Sequence, residues 1–225
     1  MTGEKAAAPP QPHKLAPMRA RRLLAAALKW ISQFSGRPGR IRGMTVPAPA
    51  RMTADEFIAW AMEQPETEHY ELVAGEIVTM APERAVHSRA KFRIARRLAE
   101  AIEGAGLPCE TFVDGMTVEI DANTLYEPDV MVRCGPPLPD YSVKLTDPII
   151  LVEVRSPSTG YRDAGAKLDD YFRLASVRHY LIVKTENRTV IHHARDETGA
   201  ITTRIIRDGA LLLDPPGIEL RDLFG

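Results

Sequence analysis

Cysteine is scarce in this chain. Two residues, Cys109 and Cys134, are too few for a disulfide framework and lack metal-ligand spacing. That scarcity fits a reducing, cytoplasmic compartment. No apolar run reaches about 18 residues, so neither a transmembrane helix nor a membrane partner is expected. No internal repeat is visible. Net charge is almost absent as well, since 29 Lys and Arg face 30 Asp and Glu for a formal charge of -1. What remains is ordinary for a soluble globular protein, 44% hydrophobic and 26% charged. A length of 225 residues suits one domain plus a tail.

The near-zero net charge hides an asymmetry. Residues 1–51 hold ten Lys or Arg and one acid, Glu4, for a charge of +9, which leaves -10 on the remainder. A basic tail on an acidic body suits a nucleic-acid or membrane-surface arm. The acidic body argues against a broad basic DNA-binding face. The reading divides the chain into a basic, disordered N-terminal extension, 1–51, and a folded domain, 52–225. Within the extension, residues 1–17 are Ala/Pro-rich, 18–34 have the pattern of a short basic helix, and 35–51 read as linker. Residues 18–34 fit an arm, a targeting-like peptide, or a segment upstream of the true start, because Met44 and Met52 both precede the globular pattern.

The folded part begins at Thr53-Ala54-Asp55-Glu56, which has capping-box spacing. A helix to about Gln64 is expected, with Phe57 and Trp60 on its apolar side. Residues 70–73 and 76–80 read as a β-hairpin turning at Ala74-Gly75. Residues 87–103 read as a helix with Phe92, Ile94, Ala95, Leu98 and Ile102 inward. Arg89, Lys91, Arg93, Arg96 and Arg97 form its basic outer side. Strands are expected at about 109–113 and 116–120, separated by Asp114-Gly115, then at 125–133. A Pro-rich loop, 134–148, leads to a strand at 149–155 and a helix at about 163–175. Strands at 179–183 and 189–194 and a hairpin over 201–213, around Asp208-Gly209, complete an α+β order.

Two apolar runs carry the chemistry. Glu127-Pro128-Asp129-Val130 precedes Met-Val, and Ile149-Ile150-Leu151-Val152-Glu153-Val154-Arg155 holds a carboxylate within a strand. A carboxylate in such a run is unfavourable unless paired or bound to a metal. If the two strands pair, Asp129 and Glu153 meet at one sheet edge and repel unless a cation intervenes. Mg²⁺ fits such hard oxygen ligands, and Mn²⁺ is a substitute. Glu71 is a candidate third acid. Lys167, on the following helix, is placed to orient water and neutralise developing charge. An ion pair of Glu153 with Arg155 is not expected, on the ground that strand neighbours face opposite ways.

These residues also carry a resemblance. Tyr70-Glu71-Leu72-Val73-Ala74-Gly75-Glu76, Ala81-Pro82-Glu83 with His87, Pro128-Asp129-Val130, Val152 to Thr159, and Asp163 with Lys167 and Tyr171 together resemble the Uma-type restriction endonuclease family. That family belongs to the PD-(D/E)xK nuclease-like superfamily, and the likeness covers about residues 52–222. It implies a restriction-endonuclease-like mixed β-sheet flanked by helices, with N-terminal and C-terminal β-hairpins. It implies Mg²⁺-dependent hydrolysis of DNA phosphodiesters as well. By position, Asp129, Glu153 and Glu71 become metal ligands and, with Lys167, the catalytic group. The superfamily Lys two residues after the Glu is Arg155 here, and Arg cannot accept a proton. Arg155 and His87 are therefore assigned to substrate binding, and the Lys role moves to Lys167. Many nucleases of this superfamily cut as dimers, which leaves a homodimer open.

Simpler readings stand beside these. Asp129 could start a turn, Glu71 could pair with a surface Arg, and Lys167 could be a solvated helix residue. His87 could cap or pack at its helix start, and the Arg-rich face of 89–97 could be solvated or contact phosphate. His192 and His193 read as structural, and Tyr171 and Phe172 as core. Ser156 and Ser158 resemble a helix N-cap, because no His is placed to activate them. The competing function is a nuclease-fold protein that binds DNA or a protein partner without cutting.

Overall fold

Residues 51–155 and 161–224 are described by the computed structural model, with 161–164 described for their backbone alone. The expected 18–34 helix, the Ser156–Thr159 cap region and the side chain of Asp163 lie outside the described residues.

The first helix, α1 (Ala54–Ala61), starts at the expected capping box. Glu56 N–H donates to Thr53 Oγ1 at 3.3 Å, and Thr53 N–H donates to Glu56 Oε2 at 2.8 Å. Phe57 from α1 packs with Leu72 and Leu125 in a small core of its own. Strands β1 (Tyr70–Val73) and β2 (Glu76–Thr79) form the expected hairpin. Ala74 and Gly75 both have positive φ, 51° and 84°, as the tight two-residue turn with mirror-image twist requires.

Helix α2 (Ala85–Gly104) buries a stripe at four-residue spacing, Ala90, Ile94, Leu98 and Ile102. Two expectations for it are corrected. Phe92 lies two residues from both Ala90 and Ile94, about 200° around the helix, and is 68% exposed. Lys91 is buried instead of belonging to the basic outer side.

The remaining strands are β3 (Cys109–Val113), β4 (Thr117–Asp121), β5 (Thr124–Tyr126), β6 (Val130–Cys134), β7 (Lys144–Leu145) and β8 (Ile150–Arg155). Helix α3 (Tyr161–Tyr171) then leads to β9 (His179–Lys184), β10 (Thr189–Arg195), β11 (Ile201–Ile206), β12 (Leu211–Leu213) and β13 (Ile218–Leu220). A five-stranded sheet runs β2-β1-β5-β4-β7, and a six-stranded sheet runs β11-β10-β9-β8-β6-β3. β8 and β9 are parallel and joined through α3, a βαβ crossover.

The strands of the expected mixed β-structure fall into these two sheets and a two-stranded one, β12–β13. Asp114-Gly115 carries the chain from one to the other, because β3 and β4 belong to different sheets. The expected strand 125–133 breaks at 127–129 into β5 and β6, also in different sheets. The expected 201–213 hairpin is replaced by β11, which pairs with β10, and by a C-terminal β12–β13 hairpin. Cys109 and Cys134 face each other across β3 and β6 and form a disulfide, although so few cysteines read as fitting a reducing compartment. Their separation of 25 residues is closed by antiparallel register.

One face of the six-stranded sheet presents Val130, Val132, Ile150, Val152 and Val154 to the α2 stripe and to Leu211, Leu213, Ile218 and Leu220. The other presents Met131, Leu151, Tyr180 and Ile182 to Tyr171, Phe172 and residues of the five-stranded sheet. Glu153 and Arg155 are two apart and share this second face with Leu151, so the expectation of opposite faces does not hold. No helix among the described residues is long and apolar enough to cross a membrane.

The α2 stripe gives a direct test. Leu98→Ala should lower stability by about 3 kcal/mol, the range for a fully buried leucine. Phe92→Ala should change it by less than about 0.5 kcal/mol. Urea denaturation of both variants checks the orientation, and equal losses would refute it.

Candidate active site

Pro128 has no N–H to give to a β-ladder, and the ladder changes sheets there. β5 ends at Tyr126 in one sheet and β6 begins at Val130 in the other. Glu127 and Asp129 flank the join, and both are buried. Val130 pairs with Val152 in antiparallel register, so Asp129 comes one step beyond that pair, beside the end of β8. The Val154 N–H donates to Asp129 Oδ2 at 2.6 Å. Asp129 Oδ1 lies 2.9 Å from His87 Nε2 and 3.9 Å from Lys91 Nζ.

The second group centres on Lys167, which is 3% exposed. Its ammonium donates to Glu71 Oε1 at 2.7 Å and Glu153 Oε1 at 3.0 Å. It also lies 4.9 Å from the centre of the Tyr126 ring, within cation–π reach. The Tyr126 hydroxyl donates to Asp170 at 2.6 Å, one turn along α3 from Lys167. Burial, then this bond, hold the Tyr126 hydroxyl well above its ordinary range. Tyr171 donates its hydroxyl to Glu153 Oε1 at 2.7 Å. Glu71 Oε1 also accepts from the Glu127 N–H at 3.0 Å.

Burial pushes the Glu153 carboxyl up to about 7. Lys167 opposes the shift, Asp129 and Glu71 add to it, and the Tyr171 bond opposes it. His87 is raised, first by its bond to Asp129 and against its burial. Lys91 bonds Glu83 and Asp114. Burial lowers its pKa, but the bonds to Asp114 and Glu83 prevail and the net shift is upward.

The structure therefore brings Glu71, Glu153 and Lys167 together and sets Asp129 with His87 beside them. Arg155 is buried at the end of β8, opposite Lys184. Sequence reasoning missed four participants. Glu127 accepts from His69 Nδ1 and the Gly115 N–H, both at 2.8 Å. Glu83, Lys91 and Asp114 form an ion-paired group beside Asp129. The spacing of His87 and Lys91, four residues apart within α2, was the available signal for Lys91, because such residues share one side of a helix. A cleft of about 670 Å³ opens onto this edge and is lined by Glu83, Lys91, Asp114, Glu127 and Asp129. Tyr171 belongs to the core, as expected, and to the site through its hydroxyl.

The two sheets and the α3 crossover define a nuclease-like α+β fold. A solved chain described as "a putative nuclease belonging to DUF820", from Anabaena variabilis, has the same fold. It superposes with a TM-score of 0.62 at 16% identity, covering 77% of this chain and 97% of that one. Residues 54–222 match the Uma2 family, described as "Putative restriction endonuclease", and the chain belongs to that family. Two Synechocystis sp. proteins, the uncharacterised slr1290 and sll1609, are 27% and 28% identical to it over 155 residues each. Each match covers 68% of this chain, with 79% of slr1290 and 85% of sll1609.

Glu153 binds its proton more tightly folded than unfolded. In metal-free buffer its contribution to stability therefore falls as pH rises from the ordinary carboxylate range through about 7. Glu153→Gln removes that slope. Urea denaturation at pH 5 and pH 8 should show the variant gaining on the parent at the higher pH. A constant gap would place the Glu153 pKa in its ordinary range.

Proposed function

We propose that the chain is a metal-dependent endonuclease that hydrolyses DNA phosphodiester bonds. Membership of the restriction endonuclease family supports nuclease activity. The observation that carries the reading is the convergence of Glu71, Glu153 and Lys167 beside Asp129, which lines a cleft.

The donor chemistry of the three acids suits Mg²⁺ or Mn²⁺. Asp129, Glu153 and Glu71 offer hard carboxylate oxygens from three different strands or their ends. Glu153 is raised because burial, Asp129 and Glu71 together outweigh Lys167, so added positive charge there is favourable. Asp129 and Glu153 would hold the cation, with Glu71 as a third acid. When bound, such an ion supplies Lewis acidity toward a phosphate oxygen and toward water.

The chain's own groups do the rest. Lys167 carries a fixed positive charge whose donors can turn from Glu71 and Glu153 toward a water or the phosphate as charge develops. Tyr171 holds Glu153 by its hydroxyl, and the Tyr126 face and Asp170 fix the Lys167 side of α3. The Val154 N–H and His87 fix both oxygens of Asp129. The cleft admits the backbone past Lys91, a cation beside Asp129.

A plasmid-nicking assay with the full-length chain tests the reading. Nicking is expected in Mg²⁺ or Mn²⁺ and not in EDTA. Asp129→Ala and Glu153→Gln should abolish it, and Lys167→Ala should slow it by about 100- to 1,000-fold. Cleavage by Asp129→Ala at the parent rate in Mg²⁺ would overturn the assignment. DNA binding without any metal-dependent cleavage by the parent would favour a non-catalytic nuclease-fold protein.

A further inference from the structure

We propose a second divalent-cation site formed by Glu83, His87 and Asp129, one that takes a first-row transition cation in preference to Mg²⁺. It shares Asp129 with the proposed catalytic position but lies on the α2 side of that carboxylate.

The ligands come from two directions. His87 sits in the first turn of α2, and Glu83 lies just ahead of that helix, before its N-cap Arg84. Asp129 meets them from the end of β6. His87 Nε2 lies 2.9 Å from Asp129 Oδ1 and 4.0 Å from Glu83 Oε1, and the three donor atoms lie within 4.8 Å of one another. Ligands about 2.1 Å from a shared ion stand roughly 3 to 4 Å apart, so small side-chain shifts bring these three onto one cation. Among the described residues, Glu83, His87 and Asp129 form the group of acids and histidines with this spacing. Glu83 and Asp129 line the wall of the cleft, which gives an ion a route in.

Donor chemistry sets the preference. One imidazole and two carboxylates suit Mn²⁺, Co²⁺ or Zn²⁺, whereas Mg²⁺ favours oxygen ligands throughout. Lys91 supplies the local positive charge in this structure. Its ammonium bonds Glu83 and Asp114 and lies 3.9 Å from Asp129 Oδ1. A dication entering beside Glu83 and Asp129 competes with that ammonium, and Asp114 gives Lys91 a partner to retreat to. The site is thus one where a lysine and a metal contend for the same oxygens.

The test reads binding, so its outcome is independent of whether DNA is cut. Full-length, metal-free protein is titrated with Co²⁺ and followed by visible absorption and by the shifted imidazole signals in NMR. The parent should bind Co²⁺ with an imidazole signal that a tenfold excess of Mg²⁺ does not remove. Glu83→Gln and His87→Gln should each weaken binding by about tenfold or more, and His87→Gln should erase the signal. Glu71→Gln, outside this group, should leave that signal in place. Lys91→Gln should tighten binding, an effect that damage to the fold would not produce. The proposal is overturned if the parent shows no imidazole signal, if equimolar Mg²⁺ displaces the Co²⁺, or if Lys91→Gln weakens binding.

Discussion

An ammonium held between two buried glutamates is the constraint on which the rest of the structure depends. Glu71 comes from the five-stranded sheet, Glu153 from the six-stranded sheet, and Lys167 from the helix between β8 and β9. None of the three tolerates burial alone. Removing one partner of such a group typically costs about 3–5 kcal/mol, because an uncompensated charge stays behind. The two contacts of Lys167 therefore tie one sheet to the other and seat α3. A site held this firmly is preorganised, the property that electrostatic catalysis needs.

The Pro128 break sets Asp129 between that arrangement and the cleft. A continuous strand over 125–133 would have kept its groups within one sheet. Because the ladder stops at Tyr126 and restarts at Val130, Glu127 and Asp129 stand at the seam where a cleft can form. The seam gathers Glu71, Glu83, Asp114, Glu127, Asp129 and Glu153, whereas Lys91 and Lys167 supply the lysine charge. Such a surplus of carboxylate repels a DNA backbone unless cations are added. That is the electrostatic reason for expecting metal dependence here.

Much of this was legible in the sequence where one residue's environment decided the matter. A Glu inside Ile-Ile-Leu-Val marked β8, and the capping box marked α1. Ala74-Gly75 marked the first hairpin, and the spacing of the acids from Lys167 marked the group around α3. What was not legible depended on partners far along the chain. Periodicity shows Lys91 on a helix, but only Glu83 and Asp114 make its burial tolerable. Phe92 looked like core because it is large and apolar, and the stripe Ala90, Ile94, Leu98, Ile102 filled the space first. Asp114-Gly115 has the composition of a hairpin turn, yet here it moves the chain between sheets. The Cys109–Cys134 pairing follows from β3–β6 register, which no local pattern encodes.

The central claim is that Asp129 and Glu153 together hold a catalytic cation next to Lys167. Anomalous diffraction from crystals of the full chain soaked in Mn²⁺ tests it most directly. The account predicts an anomalous peak in contact with both the Asp129 and Glu153 carboxylates, with Lys167 released from at least one of its two glutamates. Manganese bound elsewhere, with nothing at Glu153 and Lys167 still bonded to both Glu71 and Glu153, would contradict it.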